Sequence, residues 1–249
     1  MSSPVNVVLL AAGYGTRLYP LTEDCPKALL PIGPRLMLDW ILESVRAIPQ
    51  LGQIVLVTNG RFAGQFDSWR AERRAPVEVV NDRTMANDTR LGAIRDLMLG
   101  ASRLKQADDL LALGTDNLFT WPLAEFVLSA RGKRPAATIA VRQASSREEA
   151  SRCGVVATDA RNRITLCVEK PASPSSDTIA LCVYYFPSSM HARFQQFLDA
   201  GGNPDAPGFF LGWLVKQEAV YAFMTAGEWF DIGSVESYER ACRCWTAGT

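Results

Sequence analysis

Val5–Leu10 is an apolar run of strand length, the pattern of a strand buried on both faces. After a Gly- and Pro-rich stretch, Leu36, Leu38, Ile41, Leu42 and Val45 recur at helical spacing and predict a helix over Leu36–Ile48. The alternation continues with strand Gln53–Thr58, helix Arg61–Ala71, strand Val77–Val80, helix Leu91–Leu104, strand Leu110–Leu113 and helix Pro122–Arg131. The cap formers Asn87-Asp-Thr89 crowd the start predicted for the third of these helices. This order predicts an α/β fold built on a doubly wound, mainly parallel Rossmann-like sheet. Ligands on such sheets sit beyond the C-terminal strand ends. Ala11-Ala-Gly13 and Thr115-Asp116 are therefore where chemistry is expected.

The second half is richer in strand patterns. Ala136–Val141, Val155–Thr158, Ile164–Glu169 and Ile179–Phe186 read as strands, with Asp159–Asn162 as a hairpin turn. Ser146-Arg-Glu-Glu149 reads as a capping box on a short helix. Pro187–Ala200, Gly208–Lys216 and Val235–Trp245 read as helices. This strand-rich half is expected to continue the sheet and wall a cleft.

Composition narrows the class. At roughly 150 residues per domain, 249 residues favour one large α/β domain over two independent ones. Apolar content of 48% and charged content of 21% exclude disorder. Lys and Arg (26) balance Asp and Glu (26), which argues against wholesale nucleic-acid binding. The first ten residues lack a basic n-region and a long apolar segment, and no stretch reaches bilayer-spanning length. No membrane association and a cytoplasmic location are the expectation. The six scattered cysteines are then expected to be reduced packing residues.

The segment Leu9–Ile32 carries the most chemistry. Gly13 and Gly15 follow a buried strand, where the backbone can turn sharply and aim N–H groups at an anion. Arg17 adds a planar charged fork and Lys27 a compact point charge. Together they suggest a triphosphate cradle. It is not a dinucleotide fingerprint, because position 18 is leucine and Pro20, Pro26, Pro31 and Pro34 forbid the helix that should open there. The GxxxxGK[ST] loop is absent too.

Gly13-x-Gly15-Thr-Arg-Leu18-x-Pro-Leu-Thr22-x-x-x-Pro26-Lys27-x-Leu-x-Pro-Ile32 resembles the signature of the sugar-1-phosphate nucleotidyltransferases, the NDP-sugar pyrophosphorylases. Thr115-Asp116, Glu169-Lys170-Pro171 and Trp229-Phe-Asp-Ile-Gly233 look like that family's later motifs, so the resemblance spans nearly the whole chain. It is similar to short members of the glucose-1-phosphate thymidylyltransferase kind, since the chain stops at Thr249 soon after the last predicted helix.

The resemblance implies one nucleotidyltransferase domain over 1–249, with a nucleotide-binding half (1–132) and a sugar-phosphate-binding half (133–249). A sugar-1-phosphate oxygen would attack the α-phosphorus of a nucleoside triphosphate and expel pyrophosphate. Leu10, Ala12, Gly13, Gly15, Thr16, Arg17, Lys27, Asn81, Thr84, Thr89 and Asp116 would bind the nucleotide. Gly154, Glu169, Lys170, Leu181 and Cys182 would bind the sugar phosphate. Arg17, Lys27, Asp116 and Lys170 would be catalytic through positioning and charge neutralisation. Asp116 and Asp231 would hold Mg²⁺, which prefers oxygen ligands and shares substrate phosphates. Asp231 alone also suits the N-cap of the last helix, and Lys170 a solvated strand edge.

Departures from the family cluster around the substrate. Cys153-Gly154 stands where the family has Tyr-Gly, Thr115 where it has glycine, and Leu181-Cys182 where it has a glycine-bearing strand. Thr89 stands where a glycine approaches the base. dTTP or UTP is the expected donor, with cytosine left open. One alternative is a cytidylyltransferase acting on a non-sugar phosphate or phosphonate such as phosphocholine. Another is a catalytically silent, nucleotide-binding regulatory subunit. Apolar surface near Trp213 and Trp245 suggests a homodimer.

Overall fold

The structure, a computed structural model, describes residues 4–106 and 108–245. Met1–Ser3 and Thr249, which enter the leader and chain-end readings, lie outside the described residues. The first half runs β1 (Val5–Ala11), β2 (Pro31–Ile32), β3 (Arg35–Leu36), α1 (Met37–Arg46), β4 (Leu51–Thr58), α2 (Ala63–Arg73), β5 (Glu78–Asn81), α3 (Ala93–Ala101), β6 (Asp109–Gly114), β7 (Asn117–Phe119) and α4 (Leu123–Arg131). The second runs β8 (Ala137–Gln143), α5 (Arg147–Ser151), β9 (Gly154–Thr158), β10 (Ile164–Glu169), β11 (Thr178–Phe186), α6 (His191–Asp199), α7 (Pro207–Leu214), β12 (Val220–Met224), β13 (Trp229–Asp231) and α8 (Val235–Cys244).

Strands β6, β1, β4 and β5 lie side by side in parallel. Val7 and Leu9 of β1 face a core shared with α1, α2 and α4, while Val8 faces the core of α3, α6 and α7. Full burial of such a side chain is worth about 1.5–3 kcal/mol, so apolar residues on both faces hold β1 at the sheet centre. This doubly wound half matches the sequence expectation.

Beyond β6 the sheet turns mixed. β11 runs antiparallel to β8 along one edge, while its other edge changes partner. Val183–Phe186 pair with β6, and Ile179 and Ala180 pair with β9. Leu181 and Cys182 fall in the gap between those ladders, at an irregularity in the β8 register. The sheet thereby splays where β6 ends.

Several elements depart from the sequence reading. β12 (Val220–Met224), parallel to β8, is an apolar run that the sequence reading left unassigned, and the β7–β13 pair is only three residues long on each side. Asn87–Thr89 forms its own 3-10 turn rather than capping α3, which starts at Ala93. The α3 amides of Ala93 and Ile94 donate instead to the Asp205 and Pro204 carbonyls. At α5, Ser146 Oγ accepts the Glu149 amide as a cap should, but the Glu149 carboxylate takes the amide of Ser145. Trp213 packs against Phe197 and Phe210, and Trp245 against Trp40 and Phe230. Both tryptophans are therefore half-buried by their own chain. All six cysteines are free thiols.

Candidate active site

The loop after β1 is shaped by a left-handed residue and two side-chain braces. Gly15 has φ 63°, and a Cβ there would lie 3.2 Å from the Thr22 side chain, whose Oγ1 donates to the Gly15 carbonyl at 2.8 Å. At Gly13 a Cβ would meet nothing within 4 Å, so the missing side chain leaves its backbone open to a ligand rather than to the protein. Fully buried Asn59, beyond β4, donates from Nδ2 to the Ala12 carbonyl at 3.0 Å. Its Oδ1 accepts the Phe62 amide at 3.1 Å, which fixes the loop to the start of α2. Thr16 and Arg17 follow, exposed, in a single 3-10 turn.

Across the cleft mouth, Lys27 Nζ lies 2.9 Å from Asp116 Oδ2. The other oxygen, Oδ1, accepts from Asn117 Nδ2 at 2.6 Å, and Asn117 Oδ1 accepts from Trp229 Nε1 at 2.8 Å. β13 pairs with β7, with Asp231 opposite Asn117, and this brings Asp231 to the same strand end. Burial pushes the Asp116 carboxyl up, but the Lys27 charge and hydrogen bond, with Arg17, carry it below the usual carboxylate range. Asp231 goes the other way. Burial and the Asp116 charge raise it to about 6, against the pull of Lys27, Arg17 and Lys170. The Arg17 guanidinium and the Asp231 carboxylate both border Gly233. Arg17, Lys27, Asp116, Lys170 and Asp231, scattered in sequence, thus act on one another in one site. Ser234 caps α8, its hydroxyl accepting the Ser237 amide, so Asp231 is not spent on that helix.

On the other side of the gap in β11, Gly154 pairs with both Glu169 and Ala180. Lys170 sits at φ 45°, a left-handed conformation that costs a non-glycine residue about 1–3 kcal/mol, and its amide donates to the Cys153 carbonyl at 3.0 Å. That strained turn takes the chain off β10 and leaves Lys170 Nζ 3.4 Å from Glu169 Oε1. The Glu169 side chain is 10% exposed and that of Lys170 61%, so the acid is seated while the ammonium reaches toward solvent. Cys182 borders Gly114 and Asp116, and burial pushes its thiol up to about 12, leaving it neutral. The Leu181 side chain is fully buried in the core, so a ligand would meet its backbone rather than its side chain.

The expected base readers are placed unequally. Asn81 is exposed at the end of β5, its Oδ1 accepting the Arg83 amide at 2.7 Å. Thr84 is 7% exposed, and its hydroxyl lies 2.9 Å from both the Tyr14 hydroxyl and Asp82 Oδ1. Its hydroxyl braces one loop against the other. Thr89 is exposed, with its hydroxyl donating to the Ala86 carbonyl at 3.0 Å. The Leu10 carbonyl accepts both the amide and hydroxyl of Thr115, at 3.2 and 2.8 Å. Thr115, a departure from the family pattern, thus extends the tie between β1 and β6 past the end of their ladder. Sequence reasoning missed Asn59, Asn117 and Tyr14 as braces, because the partners that make them so, Ala12, Trp229 and Thr84, are 47 to 112 residues away.

Mg²⁺ suits the donor set. Asp116 stays ionised, and Asp231 is pushed up partly by its neighbour's negative charge, a repulsion that a divalent cation between them would relieve. Among the described residues no group of three or more His, Cys, Asp or Glu side chains is arranged for a metal. The protein therefore offers a pair of carboxylates, which suits a cation that takes its remaining oxygens from phosphates and water.

Three solved structures share this fold over 98% of this chain and 98% of their own. A Bacillus anthracis protein described as a glucose-1-phosphate thymidylyltransferase, solved with sucrose, is 21% identical with a TM-score of 0.83. A UDP-glucose pyrophosphorylase bound to UDP-glucose is 19% identical with a TM-score of 0.81. An apo UDP-glucose pyrophosphorylase is 20% identical with a TM-score of 0.79. Among the described residues, no helix is long and apolar enough to cross a membrane. The family model for nucleotidyl transferases matches residues 6–247, and on that match over nearly its full length the chain belongs to the nucleotidyl transferase family.

Proposed function

We propose that this nucleotidyltransferase condenses a pyrimidine nucleoside triphosphate, dTTP or UTP, with a sugar 1-phosphate, releasing pyrophosphate and an NDP-sugar. The observation that carries the reading is the convergence of three cations, Arg17, Lys27 and Lys170, on two carboxylates, Asp116 and Asp231, where β6 and β10 end. Both likenesses to pyrophosphorylases solved at this fold support it.

The reaction asks the protein for positioning and charge, not covalent chemistry. The Gly13–Gly15 amides and Arg17 hold the β- and γ-phosphates and take up charge as pyrophosphate leaves. Lys27, kept in place by Asp116, sits at the α-phosphate. Lys170 holds the phosphate of the acceptor, whose oxygen attacks, and Glu169 accepts hydrogen bonds from its hydroxyls. Asp116 and Asp231 would hold Mg²⁺, which supplies electrophilic stabilisation of the phosphoryl oxygens.

The test is pyrophosphate release with Mg²⁺, crossing dTTP, UTP, CTP, ATP and GTP with a panel of sugar 1-phosphates and phosphocholine. Release dependent on one sugar phosphate and one pyrimidine nucleotide is expected. Release only with phosphocholine would replace the acceptor class, and nucleotide binding without release in any pairing would mark a silent subunit.

A further inference from the structure

We infer that Gly208, on the first turn of α7, sets the position of the Glu169 carboxylate and so governs how the acceptor is held; this rests on the acceptor role proposed for Glu169. A Cβ built on Gly208 would fall inside the Glu169 carboxylate, 2.9 Å from Cδ and 3.1 Å from Cβ. The acid is therefore seated against bare helix backbone, and its Oε2 would also lie 3.3 Å from a Cβ at Gly154. Two glycines from different elements form the slot that holds it.

When that slot is filled, the side chain has to yield, because the helix is braced. Gly212, one turn on, brings α7 down on β10 so closely that a Cβ there would lie 2.7 Å from the Cys167 carbonyl. Phe210, Leu211 and Leu214 are fully buried in the core. The lead-in to α7 is clamped as well: the Ile94 amide donates to the Pro204 carbonyl at 3.0 Å, and Arg90 Nε lies 2.7 Å from Asp205 Oδ1. The Glu169 carboxylate is the far end of a flexible side chain and swings out of the slot toward Lys170 and the cleft. An added methyl group thus leaves the fold in place and moves a substrate-binding group.

Gly208→Ala tests this. The variant is expected to fold with Tm lowered by about 2–4 °C, the size of a 1 kcal/mol strain in a chain this long. Introduced into Glu169→Ala, the same substitution should cost clearly less, because no carboxylate is left to displace and only the 3.1 Å contact with the retained Cβ remains. In the pyrophosphate assay, KM for the acceptor should rise tenfold or more while KM for the nucleotide stays within twofold. A purely structural role would change both KM values together or neither. An acceptor KM equal to wild type in folded Gly208→Ala, or a Tm loss that persists undiminished without Glu169, overturns the inference. The wild-type row of the same assay judges the reaction separately, since the Tm comparison needs no substrate.

Discussion

Lys27 and Asp116 are joined at 2.9 Å, one on the turn that closes the phosphate loop and the other just beyond the end of β6. The pair ties the loop's last cation to the strand end and keeps Asp116 ionised in spite of its surroundings. Lys27→Ala removes both effects. We expect kcat to fall by about 10²–10³-fold, the usual cost of deleting a donor aimed at developing charge. The acid limb of kcat/KM should also move to higher pH, because burial then acts on Asp116 without its main counterweight. An unchanged pH profile would show that Lys27 does not control Asp116.

Asp231 makes a different prediction. With its carboxyl raised to about 6, the native protein holds this proton more tightly than the unfolded chain does, whose carboxyl titrates near 3.8. The associated stability is complete below 3.8 and is lost as pH rises through about 6. Asp231→Asn should therefore melt higher than wild type at pH 7.5 in metal-free buffer, with the advantage vanishing near pH 4. Its turnover should nevertheless drop by orders of magnitude, because a carboxylate of the metal pair is gone. A variant of normal Mg²⁺-dependent turnover would take Asp231 out of the site.

Much of this arrangement is legible in the sequence, for physical reasons that differ by element. β1 and β6 are marked because both faces are buried, which writes an apolar run. The phosphate loop is marked because glycines and prolines restrict its backbone locally. β7 and β13 are not marked, since each is three residues long and a partner from a distant part of the chain decides that it is a strand. The same holds for Thr84: its hydroxyl suits a base edge by type, and only the contact with Tyr14, seventy residues earlier, commits it to bracing. Charged site residues are recognisable from motif and type, but their braces, Asn59 and Asn117, follow from tertiary contacts alone.

Lys170 separates acceptor binding from nucleotide binding. It leaves β10 through a strained turn and reaches into solvent beside Glu169. Lys170→Ala should raise KM for the phosphorylated acceptor while leaving KM for the nucleotide near wild type. Initial-rate kinetics with each substrate varied in turn would show it. A rise confined to the nucleotide KM would move Lys170 to the triphosphate.

Asp96 lies outside the chemistry and gives the clearest stability test. It sits on α3, 6% exposed, with Oδ1 lacking a hydrogen-bond partner among the described residues. Burial and then the charge of Asp82 raise its carboxyl from 3.8 to about 7. Its ionisation in the folded state is therefore a penalty that is absent below 3.8 and grows as pH rises through about 7. A shift of that size corresponds to at most ~4 kcal/mol at high pH. Asp96→Asn keeps the shape and removes the charge. Urea melts should find it more stable than wild type by about 1–2 kcal/mol at pH 5, where the carboxyl of the unfolded chain is already ionised, and by ~3–4 kcal/mol at pH 8.5. An equal difference at both pH values would mean that Asp96 is ionised throughout, held by a partner other than those its surroundings supply.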